Sequence, residues 1–480
     1  QPAHCSPLRA CRSAANAADA QQLELDNRRS LTARAGRHTP ALPSAPRPSM
    51  SYGTTHNDAD VASVIIDVGS NSTKGGLSGQ DSPTEVFSSA VGTWEDEGGG
   101  KAFAVNRREL WHSRHRQQLP FDLEYPVVQG KVDNWECLEK VWERVLGVGG
   151  PRGRAIATEE HPMVIVEANL VSQEQREGTA QRAFEKHQSP ALHLAKTAVC
   201  SCIAANKSSG LVLEVGGGIS TCTPVFDGKA SVKDATQSAL AGDFLTDMLA
   251  QRVASRQEVV PAHQFRMPRK RDAQGDLKTS AIASAASPAD YGVYMQRMTF
   301  QGIKETLCQL SEREITKSTR VPGLSARLPD GKEVELQKDR FSIPEMLLKG
   351  VGEDPPPVAV GPHCKEMLSL PQLIEATVSK FEDEEDQKKL YTSVVVCGGS
   401  SLFAKMDPRL RSFIEDKWRL VPGKRIISSP SAPMQPTYYQ RWSSWLGASV
   451  MSSYSGFLPM WVSKQEYEEH GFGILMKRCP

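Results

Sequence analysis

At 480 residues and 39% hydrophobic content, the chain is long enough for about three domains with sizeable cores. Lys and Arg number 57 against 56 Asp and Glu, a formal net charge of +1, so no global field recruits nucleic acid or an acidic membrane, and any such contact must come from a local patch. The longest apolar runs are strand-sized, short of the roughly 20 residues of a membrane helix, and the ten cysteines lack CxxC spacing or a clustered His partner, which argues against zinc and against a disulfide framework. They read as reduced, mostly buried thiols of a soluble intracellular protein.

Residues 1–49 are rich in Ala, Arg, Ser and Pro without apolar periodicity. They read as a disordered tail or a translated upstream stretch before Met50, in preference to an Arg-rich transit peptide, and residues 1–60 are expected to carry no function. The first ordered stretch is Val64-Ile65-Ile66-Asp67-Val68-Gly69-Ser70-Asn71-Ser72-Thr73-Lys74. It is a buried strand that delivers one carboxylate and breaks at glycine, where backbone N–H groups are free to face a phosphate and Lys74 can add counter-charge. A glycine-rich acidic loop and a short basic segment follow, from Glu95 to about Gln118. Asn134 to Trp142 then has helical spacing, His161–Glu167 reads as a strand, and Ser172–Phe184 and Ala191–Ala205 read as helices.

The order of apolar run, acid and glycines returns in Leu211-Val212-Leu213-Glu214-Val215-Gly216-Gly217-Gly218, and a third strand, Val394–Cys397, ends at Gly398-Gly399. Repetition of the unit predicts two related α/β halves whose turns clasp the phosphates of one nucleotide from opposite sides. Between them, Leu240-Ala241-Gly242 enters a helix. The polar insertion 255–291 carries Arg266, Arg269, Lys270 and Arg271, either a nuclear import or DNA patch or a solvated loop, and 350–362 with Pro355-Pro356-Pro357 reads as a second long loop.

In their order, Asp67 to Lys74, Leu123 to Gly130 with Asn134-Trp135, His161 to Ala168, Leu240-Ala241-Gly242, Leu328 to Gly331 and Gly398-Gly399 resemble actin from about residue 61 onward. The closing stretch, Trp442-Ser443-Ser444-Trp445-Leu446-Gly447, then Met460-Trp461 through Glu469 and Cys479-Pro480, is most similar to the fourth class of actin-related proteins. The resemblance implies an actin-like α/β fold, two related lobes of the ribonuclease-H-like type around a nucleotide cleft. The first lobe is expected over 61–205, the second over 206–400, and a return to the first over 401–480.

Carried over by resemblance, Ser70, Asn71, Ser72 and Lys74 hold the β- and γ-phosphates of ATP, opposite backbone N–H groups of Gly217, Gly218 and Ile219. Gly242 lines the same site; Lys304 and Glu305 contact adenine and ribose; Gly399, Ser400, Leu402 and Phe403 close the purine pocket, with Arg441 where actin has a lysine. Asp67 holds Mg2+ through water, as suits an ion reluctant to shed its hydration shell. The departures bear on chemistry. Where actin has a glutamine and two aspartates arranging the attacking water and the metal, this chain has Thr197, Glu214 and Gly217. The expectation is ATP binding with little or no turnover, and no catalytic residue.

Leu446, Val450 and Tyr454 recur at i, i+4, i+8 with Met451 and Met460 beside them. Such a stripe suits a core; by resemblance these residues and Ile203 line a groove that accepts an amphipathic helix of a remodeller motor or acetyltransferase scaffold subunit. The class further implies a nuclear protein of chromatin remodelling and histone acetyltransferase complexes, acting in transcription and DNA repair, with nuclear actin and histones as partners. No filament is expected, since 92–121 lacks actin's hydrophobic gripping loop. The alternatives are a slow ATPase or sugar kinase, for which Gly217 removes the obvious base, and a cytoskeletal or dynein-activator subunit.

Overall fold

A computed structural model describes residues 62–480 apart from 106–109, 111–121, 148–154, 262–263, 267–279, 282–288, 313–314, 316–318, 329, 353–360 and 420–439. The first lobe is built on the strand-acid-glycine hairpin. β1 (Val64–Val68) returns antiparallel as β2 (Ser72–Leu77), with Gly69 N donating to Ser72 O at 3.1 Å across the turn, and β3 (Glu85–Ser88) extends the edge. On its other side β1 pairs in parallel with β4 (Met163–Glu167), and β4 in parallel with β5 (Ala191–Lys196). The short strand Val462–Ser463 closes the six-stranded sheet.

Val64, Ile65, Ile66, Met163 and Val164 are fully buried because the sheet is covered on both faces. α1 (Trp135–Val145) covers one face with Leu138, Trp142 and Val145; Asn134 caps it by accepting from Cys137 N. The other face packs on Trp445 and Ala448.

The stretch expected as one helix over Ala191–Ala205 divides instead. β5 ends at Lys196 and α2 (Thr197–Ala204) begins at the next residue. The strand is buried from Leu192 to Lys196, so it lacks the polar alternation that separates strand from helix, and its Ala and Leu residues are good helix formers.

The second lobe repeats the plan. β6 (Gly210–Val215) and β7 (Ser220–Phe226) form the second hairpin, and β8 (Val394–Cys397) joins β6 in parallel, Leu211 opposite Val394. α3 (Gly242–Ala254) and α4 (Ala289–Leu307) follow, and a large core gathers Leu211, Leu213, Leu249, Phe300 and Ile303. Met406, Leu410 and Ile414 belong to this same core, so the chain does not return to the first lobe at 401; it does so beyond Arg419.

The lobes meet at two crossing helices, α2 and α5 (Ser443–Ser452). Cys200 of α2 packs with the first lobe, whereas Ala198 and Cys202 pack with Val212 and Cys397 of the second. At the crossing, a Cβ on Gly447 would stand 1.7 Å from the Cys200 carbonyl oxygen, which requires glycine. The basic cluster at Arg269–Arg271 and the triple proline lie outside the described residues. Among the described residues no helix is long and apolar enough to cross a membrane.

Candidate functional site

A cavity of about 520 Å³ opens between the two hairpins. Every residue that the sequence placed on nucleotide or metal lines it: Asp67, Ser70, Asn71, Ser72 and Lys74 from the first hairpin, Gly217, Gly218 and Ile219 from the second, Gly242, Lys304 and Glu305 from α3 and α4, and Gly399, Ser400, Leu402, Phe403 and Arg441 from the far wall. A strand end carries each turn into the cleft, so the backbone faces the space that side chains would otherwise fill.

The glycines are there for close approach. A Cβ on Gly217 would meet Asn71 Cβ at 2.7 Å, one on Gly218 would meet Ser70 Oγ at 2.7 Å, and one on Gly242 would meet Ser400 Oγ at 2.3 Å. Two opposed turns of this kind suit a chain of phosphates, which backbone dipoles can bind from both sides. The cradle therefore fits a nucleotide.

The first hairpin brings fixed charge. Lys74 Nζ lies 3.4 Å from Asp67 Oδ2, and Ser444 Oγ donates to the same oxygen at 2.8 Å. Asp67 is buried yet lines the cleft, a single carboxylate held in place that can reach a metal through water; among the described residues no group of three or more His, Cys, Asp or Glu could ligate one directly.

Opposite stands Glu214, at the end of β6. Burial pushes its carboxyl above the usual range; the Thr197 hydroxyl beside it lowers it in part, and the Asp67 charge raises it further. Two residues on this floor, Asn169 and Thr221, carry no sequence signal. Asn169 caps α2, its Oδ1 accepting from Ala198 N at 3.1 Å. Thr221 pairs with Glu214 across the hairpin. Asn169 Nδ2 and Thr221 Oγ1 are buried polar atoms of cleft-lining residues without a protein partner, and the Thr197 hydroxyl has only the Glu214 carboxyl beside it.

Lys304 lines the cleft, but its ammonium is engaged below it, donating to Gly242 O at 2.5 Å and Thr246 Oγ1 at 2.7 Å; this braces α3 under the second turn. Asn71 also reaches across, donating to Asp243 Oδ1 at 3.0 Å and Gln301 Oε1 at 3.3 Å. These contacts have no local sequence signal, because each joins residues 58 or more positions apart.

A second, apolar hollow of about 400 Å³ lies beneath the hinge, lined by Ile203, Val450, Met451, Ser453, Tyr454, Gly456 and Phe457. Val450 is 52% exposed and Tyr454 61%. Of the stripe that predicts this groove, Leu446 points elsewhere and packs with Trp445 against the first-lobe core, and Met460 lies outside the lining. Met460 comes after α5 has ended at Ser452, as the last residue of the short helical segment Ser455–Met460.

A family model described as Actin matches residues 58–480. The chain is 30% identical over 451 residues to Actin-related protein 4 of Oryza sativa, in both the indica and japonica subspecies, covering 88% of this chain and 99% of the relative. It is 28% identical over 453 residues, with the same coverage, to Actin-related protein 4 of Arabidopsis thaliana. With its paired hairpins and glycine cradle, the chain belongs to the actin family, as an actin-related protein similar to Actin-related protein 4.

Proposed function

We propose that the chain binds ATP with magnesium, turns it over slowly or not at all, and serves as a structural and regulatory subunit of nuclear chromatin remodelling and histone acetyltransferase complexes. Members of the actin family bind ATP with a divalent metal, and the glycine cradle of this cleft suits the phosphates. Magnesium, when bound, would neutralise phosphate charge, with Asp67 as its outer carboxylate.

The observation that carries the non-hydrolysing reading is the cleft floor. Attack on a γ-phosphate needs a water oriented in line. Here the Thr197 hydroxyl is short, Gly217 has no side chain and no room for one, and the Glu214 carboxyl is pushed toward its protonated form by burial. Losing groups that act in the transition state while the cradle remains slows chemistry and spares binding. ATP then acts as a ligand of the closed protein and stabilises it by mass action.

The hollow at Ile203, Val450, Tyr454 and Phe457 supports docking of an amphipathic helix from a motor or scaffold subunit. Nuclear location, a nuclear actin partner and histone contact rest on the likeness to the fourth class alone.

A single-turnover assay on purified full chain with radiolabelled ATP tests the nucleotide reading. Bound ATP that stays intact supports it; prompt hydrolysis that disappears in Asp67→Ala would overturn it and favour an ATPase.

A further inference from the structure

Away from the nucleotide residues, the groove and the hinge, the lobes also touch at Gln129. Downstream of the long loop at 350–362, the chain is fixed to the second lobe by Ala239 N donating to Glu366 O at 2.7 Å and Ser238 Oγ donating to Leu368 O at 2.8 Å. Just before that anchorage, the segment from Gly361 to Cys364 lies across the first lobe at Gln129. The Gln129 side chain uses its whole amide there: Oε1 accepts from His363 N and Cys364 N, both at 2.9 Å, and Nε2 donates to Cys364 O at 3.0 Å. The contact is tight enough to exclude a methyl group, since a Cβ on Gly361 would stand 2.6 Å from Gln129 Cδ.

Gln129 adopts φ +48°, a left-handed conformation that glutamine seldom takes and glycine takes freely. A glycine would satisfy this backbone with less strain, so what the position gains from glutamine is the side chain and its three bonds. The backbone around it touches both phosphate turns: Gly130 N donates to Ser70 Oγ at 3.3 Å, and a Cβ on Gly218 would come within 3.4 Å of Gln129 N. Next to it, His363 Nε2 lies 3.7 Å from Asp133 Oδ1 of the first lobe.

We propose that Gln129 and the strap Gly361–Cys364 form a latch across the lobes that sets how long nucleotide stays bound. The inference rests on the ATP-binding reading above. Phosphates held between the turns at Ser70–Ser72 and Gly217–Ile219 leave only when the lobes part, and parting breaks the bonds from Gln129 to His363 and Cys364. Because chemistry is slow in that reading, release through the latch becomes the step that empties the site. Linkage makes the effect reciprocal: bound nucleotide holds the strap closed.

The test is release of mant-ATP, preloaded with magnesium on the full chain and chased with excess ATP. Gln129→Gly keeps the backbone conformation and removes the three bonds; Gly361→Ala leaves Gln129 in place and forces the strap away. Each is expected to speed release roughly tenfold or more, and the double variant no further than the faster single one, because both break one contact. Amide exchange at His363 and Cys364 should rise in Gln129→Gly. Unchanged release in both variants, or effects that multiply in the double, would overturn the latch alone. Failure of the unaltered chain to take up mant-ATP would overturn the ATP reading, and the latch's role with it.

Discussion

The two hairpins that frame the cleft have the same strand, acid and glycine order, and they sit in different electrostatic surroundings. Asp67 has a lysine at 3.4 Å and a serine hydroxyl at 2.8 Å. Glu214 has burial, a neighbouring threonine and the repulsion of Asp67 itself. The first hairpin therefore holds its carboxylate in place with a lysine and a hydroxyl, where a hydrated cation could meet it, while burial pushes the carboxyl of the second above the usual range. The difference teaches that a phosphate cradle and the apparatus for splitting phosphates are separable parts of one cleft. The cradle depends on turn geometry; the chemistry depends on side chains that reach.

Lys74→Met attacks the charged hairpin most directly. It strips a mostly buried carboxylate of its cation, and a loss of about 3 to 5 kcal/mol in unfolding free energy is expected, read from denaturant midpoints. An unchanged midpoint would mean that Asp67 does not need the lysine.

Acid should also act unequally on the two lobes. His193, on β5 of the first lobe, is packed against Phe457 and beside Met460 O, and burial lowers its pKa from 6.5 to about 4. A base held neutral in the fold binds its proton more readily when unfolded, so stability is intact above pH 6.5 and falls as pH drops toward 4, by about 3 kcal/mol in all. Amide exchange compared at pH 7 and pH 5 should show the first-lobe sheet loosening before the second, and His193→Gln should flatten the difference.

Smaller effects test the turns. Gly218→Val should weaken ATP binding by about a hundredfold in calorimetry, or about 2.7 kcal/mol, because its side chain collides with Ser70. Removing the hydroxyl in Ser444→Ala should cost about 1 kcal/mol of stability. Smallest of all, Thr197→Gln should raise single-turnover hydrolysis less than tenfold, since Gly217 still offers no carboxylate and has no room for one.

Both hairpins were legible in the sequence because their information is local: a β-branched run, one acid, then glycines within a dozen residues. The helix at Trp135–Val145 was legible for the same reason, through the spacing of its apolar residues. The strand at Ala191–Lys196 was not, because a strand buried on both faces loses its alternation. Hardest to foresee were contacts between distant residues. The Ser-Ser-Trp run marked the class in the sequence, but only the fold shows that Ser444 binds Asp67, 377 positions away, and that Trp445 packs under the same sheet. Asn169 had no motif at all, since its role as the cap of α2 depends on where β4 ends relative to β5.

The eight described cysteines are all free and all buried, and burial pushes each thiol upward. At neutral pH they are protonated and shielded, so an alkylating reagent reaches each one only when its surroundings open. Cys364 lies on the strap, Cys200 at the helix crossing and Cys308 in the second-lobe core. The order in which these three acquire label, read by mass spectrometry from untouched protein, would time the opening of strap, hinge and core separately, with no introduced probe.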